Sequence, residues 1–249
     1  MHQMQSFSRQ VVARSLSNFI PYYIINEFPK SGGTWLCQML AESLQIPNIR
    51  HRFPLFQSST IHMHTMNGTG LNNIIIMWRD GRDVMTSWYH HCLFEQSHHN
   101  AKFVAQTRAR FGNVDYENVY ENMPKFIDFT FTHAQFPRFT WADFVRQWHG
   151  RSKVLYVRYE DLLNQPADEL LRICCALKGQ DTLQIETAKQ IAEHYSFQNQ
   201  TGRQAGNEQK KCFLRKGIAG DWKNNFSAQA LEVFEFYAGK EMKLLGYQA

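Results

Sequence analysis

The chain has no pair of cysteines at Cys-x-x-Cys spacing, and its five cysteines (Cys37, Cys92, Cys174, Cys175, Cys212) are odd in number. A disulfide framework and a zinc ribbon are therefore both excluded, and a reducing compartment fits. No apolar run approaches the roughly 18 residues of a membrane span. Arg9 and Arg14 near the N-terminus are not followed by the apolar core of a signal peptide. The expectation is a cytoplasmic protein with no membrane span. A dense basic stripe is also missing. The formal charge of +5 is mild and spread along the chain, which suits a small anionic ligand and not a nucleic acid. No repeat and no Pro-, Gly- or Ser-rich linker cuts the sequence. One domain over 1–249 is expected, with its core at about 20–245. What the chain does have is apolar bulk: 43% hydrophobic residues and 19 phenylalanines, enough for a sizeable core.

One stretch organises the rest. Ile24-Ile25-Asn26-Glu27 ends a short apolar run typical of a buried parallel strand. Phe28-Pro29-Lys30-Ser31-Gly32-Gly33-Thr34-Trp35 then turns into an apolar-periodic helix ended by Pro47. Two glycines allow a tight bend and close approach to a ligand. Thr34 is the expected cap, and the first N–H groups of the helix, with its dipole and Lys30, make a site for a phosphate-like anion. This is not a Walker A loop, because the lysine precedes the glycines.

Thr60-Ile61-His62-Met63-His64 reads as a short alternating strand, which would point His62 and His64 to one face. Ile74 to Trp78 reads as a strand buried on both faces, and Arg79-Asp80-Gly81-Arg82-Asp83 as a turn into a helix from Val84 to Phe94. The aromatic-rich region 95–139, with Phe103, Phe111, Phe126 and Phe136 among others, is expected to form short helices and loops serving as core, as an acceptor pocket, or as both. Thr140 to His149 is a helix with Thr140 and Asp143 at capping-box spacing. A strand over Val154–Tyr159, helices near 166–178 and 182–195, a mobile loop over 198–211 and a last helix from Ser227 to Leu245 complete the pattern. Strands alternating with helices give a single-domain, three-layer α/β fold with a central parallel sheet. Arg79 at the end of the third strand and Ser87, eight residues on and two turns into the following helix, can grip a second phosphate, since ligands gather at the carboxyl ends of such strands. Arg215-Lys216-Gly217-Ile218-Ala219-Gly220-Asp221-Trp222-Lys223 adds a basic pair and two glycines. The alternative for both is an ordinary surface ion pair or a solvated basic loop. His90, His91, His98 and His99 do not match zinc spacing, so no metal site is expected.

Taken together, four segments resemble the cytosolic-type sulfotransferases. Phe28 to Trp35 is similar to that family's 5′-phosphosulfate loop, a P-loop-like element usually reading Tyr-Pro-Lys-Ser-Gly-Thr-Thr-Trp. Arg79 to His90 resembles its 3′-phosphate segment, Val154 to Leu162 its Tyr-Glu-Asp strand, and Arg215 to Lys223 its Arg-Lys-Gly-x-x-Gly-Asp-Trp-Lys signature. The resemblance implies the co-substrate 3′-phosphoadenosine 5′-phosphosulfate (PAPS), no metal, and transfer of a sulfuryl group to a hydroxyl or amine of a small acceptor. It implies that Lys30, Ser31, Gly32, Gly33 and Thr34 hold the phosphosulfate and that Trp35 stacks on adenine. Arg79, Ser87, Arg215, Lys216 and Gly217 would hold the 3′-phosphate, with Tyr159, Ser196 and Phe197 in the adenine pocket. Lys30 would stabilise the leaving group. The family's base lies in a Lys-Thr-His stretch, which puts His64 on the base and His62 on the lysine. Two further departures are Gly33, for the usual threonine, and Lys223, Ser227, Ala228 and Glu232, which keep the spacing of the family's dimer motif without its central pair. Monomer and homodimer stay open. Rival readings are a non-catalytic module for 3′-phosphoadenosine nucleotides and a P-loop-like kinase.

Overall fold

A computed structural model describes residues 10–49, 56–95, 100–134, 137–180 and 182–248. His98, His99 and Phe136 lie outside the described residues. The chain divides into two compact units, Met1–Trp78 with Gly150–Gln200, and Arg79–His149 with Thr201–Ala249. Each is built from two separate stretches of chain, so no linker marks the division.

The first unit holds a four-stranded, wholly parallel sheet flanked by helices. Its strands are β1 (Tyr22–Glu27), β2 (Ser59–Met63), β3 (Ile74–Trp78) and β4 (Val154–Arg158), in the order β2-β1-β3-β4. Every residue of β1 and β3 is buried. That is why β3 reads as an unbroken apolar run and β1 as one up to Ile25, and neither as an alternating strand. Register pairs Ile25 with His62 on one side and with Ile75 on the other. The strand order reverses between β1 and β3, so the loop after β1 leaves the sheet at a topological switch point.

Helix α1 (Gly33–Ser43) follows that loop and lays Leu36, Met39 and Leu40 on the sheet. Beside β4, Tyr159 opens a short helix, Tyr159–Asn164, and the strand stops one residue earlier than the sequence pattern indicates. Helices Pro166–Lys178 and Ile185–His194 add Leu170, Ile173 and Ile191 to the same core.

The second unit is helical. Asp80 caps helix Gly81–Leu93 by accepting from the Arg82 N–H. The aromatic-rich region forms two full helices, Ala101–Phe111 and Val119–Thr132, where the sequence suggests only short ones. Their apolar period is obscured because aromatic rings cover several positions at once. Phe126 packs edge-on against both Tyr89 and Phe111, at 5.0 and 5.9 Å. Helix Trp141–Trp148 carries the full capping box between Thr140 and Asp143. The last helix, Ala228–Leu244, is capped by Ser227 and buries Phe234. Phe197–Thr201 is a short helix, so the stretch read as a loop from 198 is partly ordered backbone.

The turn after β1 leaves almost no slack at Gly32. Its φ is +106°, and a Cβ there would stand 2.7 Å from the Tyr159 ring and 3.1 Å from Met77 Cε. Gly32→Ala is expected to cost about 2–4 kcal/mol, from left-handed strain plus overpacking. Urea denaturation of the variant beside the wild type measures it.

Candidate active site

The loop is built by two left-handed residues. Lys30 has φ of 75°, a conformation that non-glycine residues rarely adopt, and Gly32 follows at +106°. Strain of this kind is stored where the surrounding structure demands it. Ser31 is buried, and its hydroxyl donates to the Phe28 carbonyl at 2.8 Å, bracing the turn. The helix starts at Gly33, with Gly32 as N-cap and no side-chain cap. Thr34 is therefore inside the first turn and does not cap it, because the left-handed glycine completes the turn before Thr34 is reached.

The sequence reading left the Gly33 N–H for a phosphosulfate. In the structure it donates to Glu27 Oε2 at 2.5 Å. Glu27 ends β1, is 3% exposed, and offers its other oxygen, Oε1, to His62 Nε2 at 2.9 Å. Burial pushes its carboxyl toward the neutral form. The His62 hydrogen bond, the two neighbouring imidazoles and the Gly33 N–H outweigh burial and hold it below the usual carboxylate range. An ionised carboxylate only accepts, so the His62 Nε2 proton is directed at it.

His64 hangs from the same residue by another atom. Its Nδ1 lies 2.9 Å from the Glu27 carbonyl oxygen, which makes Nδ1 the donor and places the lone pair of a neutral ring on Nε2. The segment is clasped to β1 by Asn26, whose side chain donates to the Thr65 carbonyl and accepts from the Thr65 N–H at 3.0 and 2.8 Å. The two imidazoles meet edge to face at 4.7 Å, on one side of the edge strand as the alternation predicts. Ring nitrogens of both and a Glu27 oxygen lie within 4.8 Å of one another. The sequence reading missed Glu27. Its one signal was an acid at the end of an otherwise apolar buried strand.

The residues read as an adenine pocket gather in the same unit. Trp35 donates its indole N–H to the Tyr195 carbonyl at 2.9 Å and stands edge-on to Tyr159 at 6.0 Å. Ser196 and Phe197 come directly after Tyr195. The Ser196 hydroxyl accepts from the Asn199 N–H, opening the short helix that Phe197 begins.

In the second unit three buried aspartates, Asp80, Asp83 and Asp221, gather cations and backbone N–H groups. Asp83 accepts from the Gly220 and Trp222 N–H groups at 2.6 and 2.9 Å, tying the C-terminal signature to helix Gly81–Leu93. Burial raises its pKa, against the pull of Arg79 and those two N–H groups. Arg79 donates to the Ile218 carbonyl at 3.2 Å, beside Gly217. The Asp80 carboxylate pairs with Arg82, whose guanidinium also lies 3.8 Å from the Trp222 ring centre. Ser87 is half-buried on the same helix. Arg215 and Lys216 both bond Asp221 at 2.5 Å, and Arg215 pairs with Glu208 as well. His90 is buried with Nε2 3.7 Å from Glu208.

Asp221 is 2% exposed. Burial opposes its ionisation, but Lys216 and Arg215 bring its pKa down to about 2. A depressed carboxylate stabilises the fold above its unfolded pKa and loses that contribution as pH falls toward about 2. Asp221→Asn is expected to cost about 2–3 kcal/mol at neutral pH, with the gap to wild type shrinking below about pH 4. Urea titrations across that range measure it.

The model of the sulfotransferase domain family matches residues 53–246, so three of the four motif segments fall inside the match and the loop lies ahead of it. Sulfotransferase 1E1 of Cavia porcellus is 23% identical over 266 residues, spanning 88% of this chain and 82% of the relative. The Homo sapiens protein of that name is 24% identical over 268 residues, with 88% and 83% covered. A crystal structure of mouse sulfotransferase SULT7A1 complexed with PAP shares the fold at a TM-score of 0.63 and 19% identity, covering 96% of this chain and 91% of that one. Retinol dehydratase in complex with androsterone and inactive cofactor PAP does so at 0.60 and 14%, covering 97% and 87%. With the family model matched over the greater part of its length, the chain belongs to the sulfotransferase domain family.

Proposed function

We propose that this protein transfers a sulfuryl group from PAPS to a hydroxyl or amine of a small acceptor. The observation that carries the reading is the loop itself. A lysine held in a left-handed turn stands between a buried parallel strand and the N-terminus of a helix, at the switch point of the sheet. In this reading Lys30 and the loop 31–34, apart from the Gly33 N–H that Glu27 takes, hold the phosphosulfate, with Trp35, Tyr159, Ser196 and Phe197 around the adenine. Arg79, Ser87, Arg215, Lys216 and Gly217 take the 3′-phosphate.

Sulfuryl transfer is an in-line displacement like phosphoryl transfer. The acceptor oxygen forms a bond to sulfur while the bond from sulfur to the bridging 5′-phosphate oxygen breaks. Negative charge grows on that bridging oxygen, and the Lys30 ammonium meets it. The acceptor proton goes to His64 Nε2, the nitrogen that carries the lone pair when Nδ1–H is spent on the Glu27 carbonyl. The products are the sulfated acceptor and 3′-phosphoadenosine 5′-phosphate (PAP). No metal enters this chemistry.

One observation favours a second reading, a module that binds 3′-phosphoadenosine nucleotides without transfer. A carboxylate already occupies the first N–H of the loop helix. The two readings part on turnover with PAPS.

Calorimetry with PAP and with ATP, each with and without Mg²⁺, tests the donor site. Preferential, Mg²⁺-independent binding of PAP is expected, and preference for Mg-ATP would put a kinase in its place. Lys30→Ala is expected to lower kcat by at least about 100-fold, the scale of losing one charge-stabilising donor. Near wild-type turnover in that variant would remove Lys30 from the mechanism.

A further inference from the structure

Glu27, His62 and Gly33 are packed closely against one another. A Cβ on residue 33 would stand 2.8 Å from Glu27 Cδ, 2.9 Å from Glu27 Oε2 and 2.9 Å from His62 Nε2. The space that a threonine would fill here is taken by the carboxylate and the imidazole. Glycine at this point of the loop is thus the condition for having the pair, and not merely the loss of a hydroxyl. The pair reaches both histidines: the Glu27 carboxylate takes His62 and the Glu27 carbonyl takes His64.

We propose that Glu27 is the positioning residue of the active site, holding His62 as a fixed N–H donor and His64 as the base. The inference rests on sulfuryl transfer occurring at this loop. The reason lies in which nitrogen each bond consumes. His62 is bound to the carboxylate through Nε2, so that nitrogen keeps its proton and cannot serve as a base. His64 is bound through Nδ1, and its Nε2 is the basic nitrogen in the neutral ring. Two histidines two residues apart, indistinguishable by sequence, are thereby given different roles by the side chain and the main chain of one residue. Glu27 also closes the Gly33 N–H, so removing its charge does not take a ligand away from the nucleotide.

The test compares kcat for PAPS-dependent transfer with the Kd for PAP across four variants. Glu27→Gln is expected to lower kcat about 10- to 100-fold, the scale of losing a group that orients an imidazole. Its PAP affinity is expected to stay within about threefold of wild type. His64→Gln is expected to lower kcat by at least about 100-fold. His62→Gln, whose amide can still donate to the carboxylate, is expected to lose less activity than His62→Ala, which leaves a buried carboxylate without that donor. If Glu27→Gln does not fold, the contrast between the two His62 variants tests the same pair.

Four results overturn the proposal, three of them from the variants. Unchanged kcat in Glu27→Gln is one, and PAP affinity falling in step with kcat is another. A larger loss in His62→Gln than in His64→Gln is the third. Activity that Zn²⁺ raises and a chelator abolishes would likewise replace it, making the cluster of Glu27 and the two histidines a cation site. Failure of the wild type itself to bind PAP would instead sink the functional reading on which the inference depends.

Discussion

Two left-handed residues, Lys30 and Gly32, turn a buried strand into a helix within five positions, and the candidate chemistry depends on that turn. It places the positive end of a helix dipole and an ammonium group at the carboxyl end of a parallel sheet. The strain of a left-handed lysine is tolerated because the turn is over-determined around it. Ser31 ties back to Phe28, Gly32 lies against the Tyr159 ring, and Leu36 and Leu40 anchor the helix in the core. In the proposed transfer such rigidity would count, since a donor aimed at developing charge is worth most when it need not reorganise.

Buried carboxylates recur as the organisers of cationic and hydrogen-bonding groups. Glu27 gathers a backbone N–H and an imidazole, Asp83 gathers two backbone N–H groups, and Asp221 gathers Arg215 and Lys216. The physical logic is the same in each case. An ionised carboxylate out of water is stable only if its lone pairs are filled, so it draws donors into fixed positions. Asp221 thereby holds two long, flexible side chains in one orientation. Arrangements of this kind bring positive charge to a site without leaving it as loose surface lysines.

Departures from the family's usual motifs look like separate losses in one dimension and like one substitution in three. Gly33 in place of threonine removes a hydroxyl, and His62 in place of lysine removes an ammonium. In the folded chain both positions touch Glu27, and the volume given up at residue 33 is the volume that the Glu27–His62 pair fills. The site is internally consistent, with every change accommodated by its neighbours.

Much of the fold was legible in the residues themselves. Continuous apolar runs marked β1 and β3, because a strand covered on both faces has no polar side to show. Thr140 and Asp143 announced their helix, because a capping box is a local hydrogen-bond exchange. The spacing of His62 and His64 gave their shared face, because strand side chains alternate with a period of two. Other features could not be read in the same way. Helices in the aromatic-rich region were hidden because large rings blur the helical period. The start of α1 at Gly33, ahead of Thr34, depended on a backbone dihedral at Gly32. Which imidazole nitrogen keeps its proton was decided by Glu27, 35 and 37 residues away in sequence. Motifs and strands came from local chemistry and periodicity, which the sequence carries by itself. The hydrogen bonds of individual side chains came from parallel pairing of β1 with β2, which brings an acid and two histidines into range of one another.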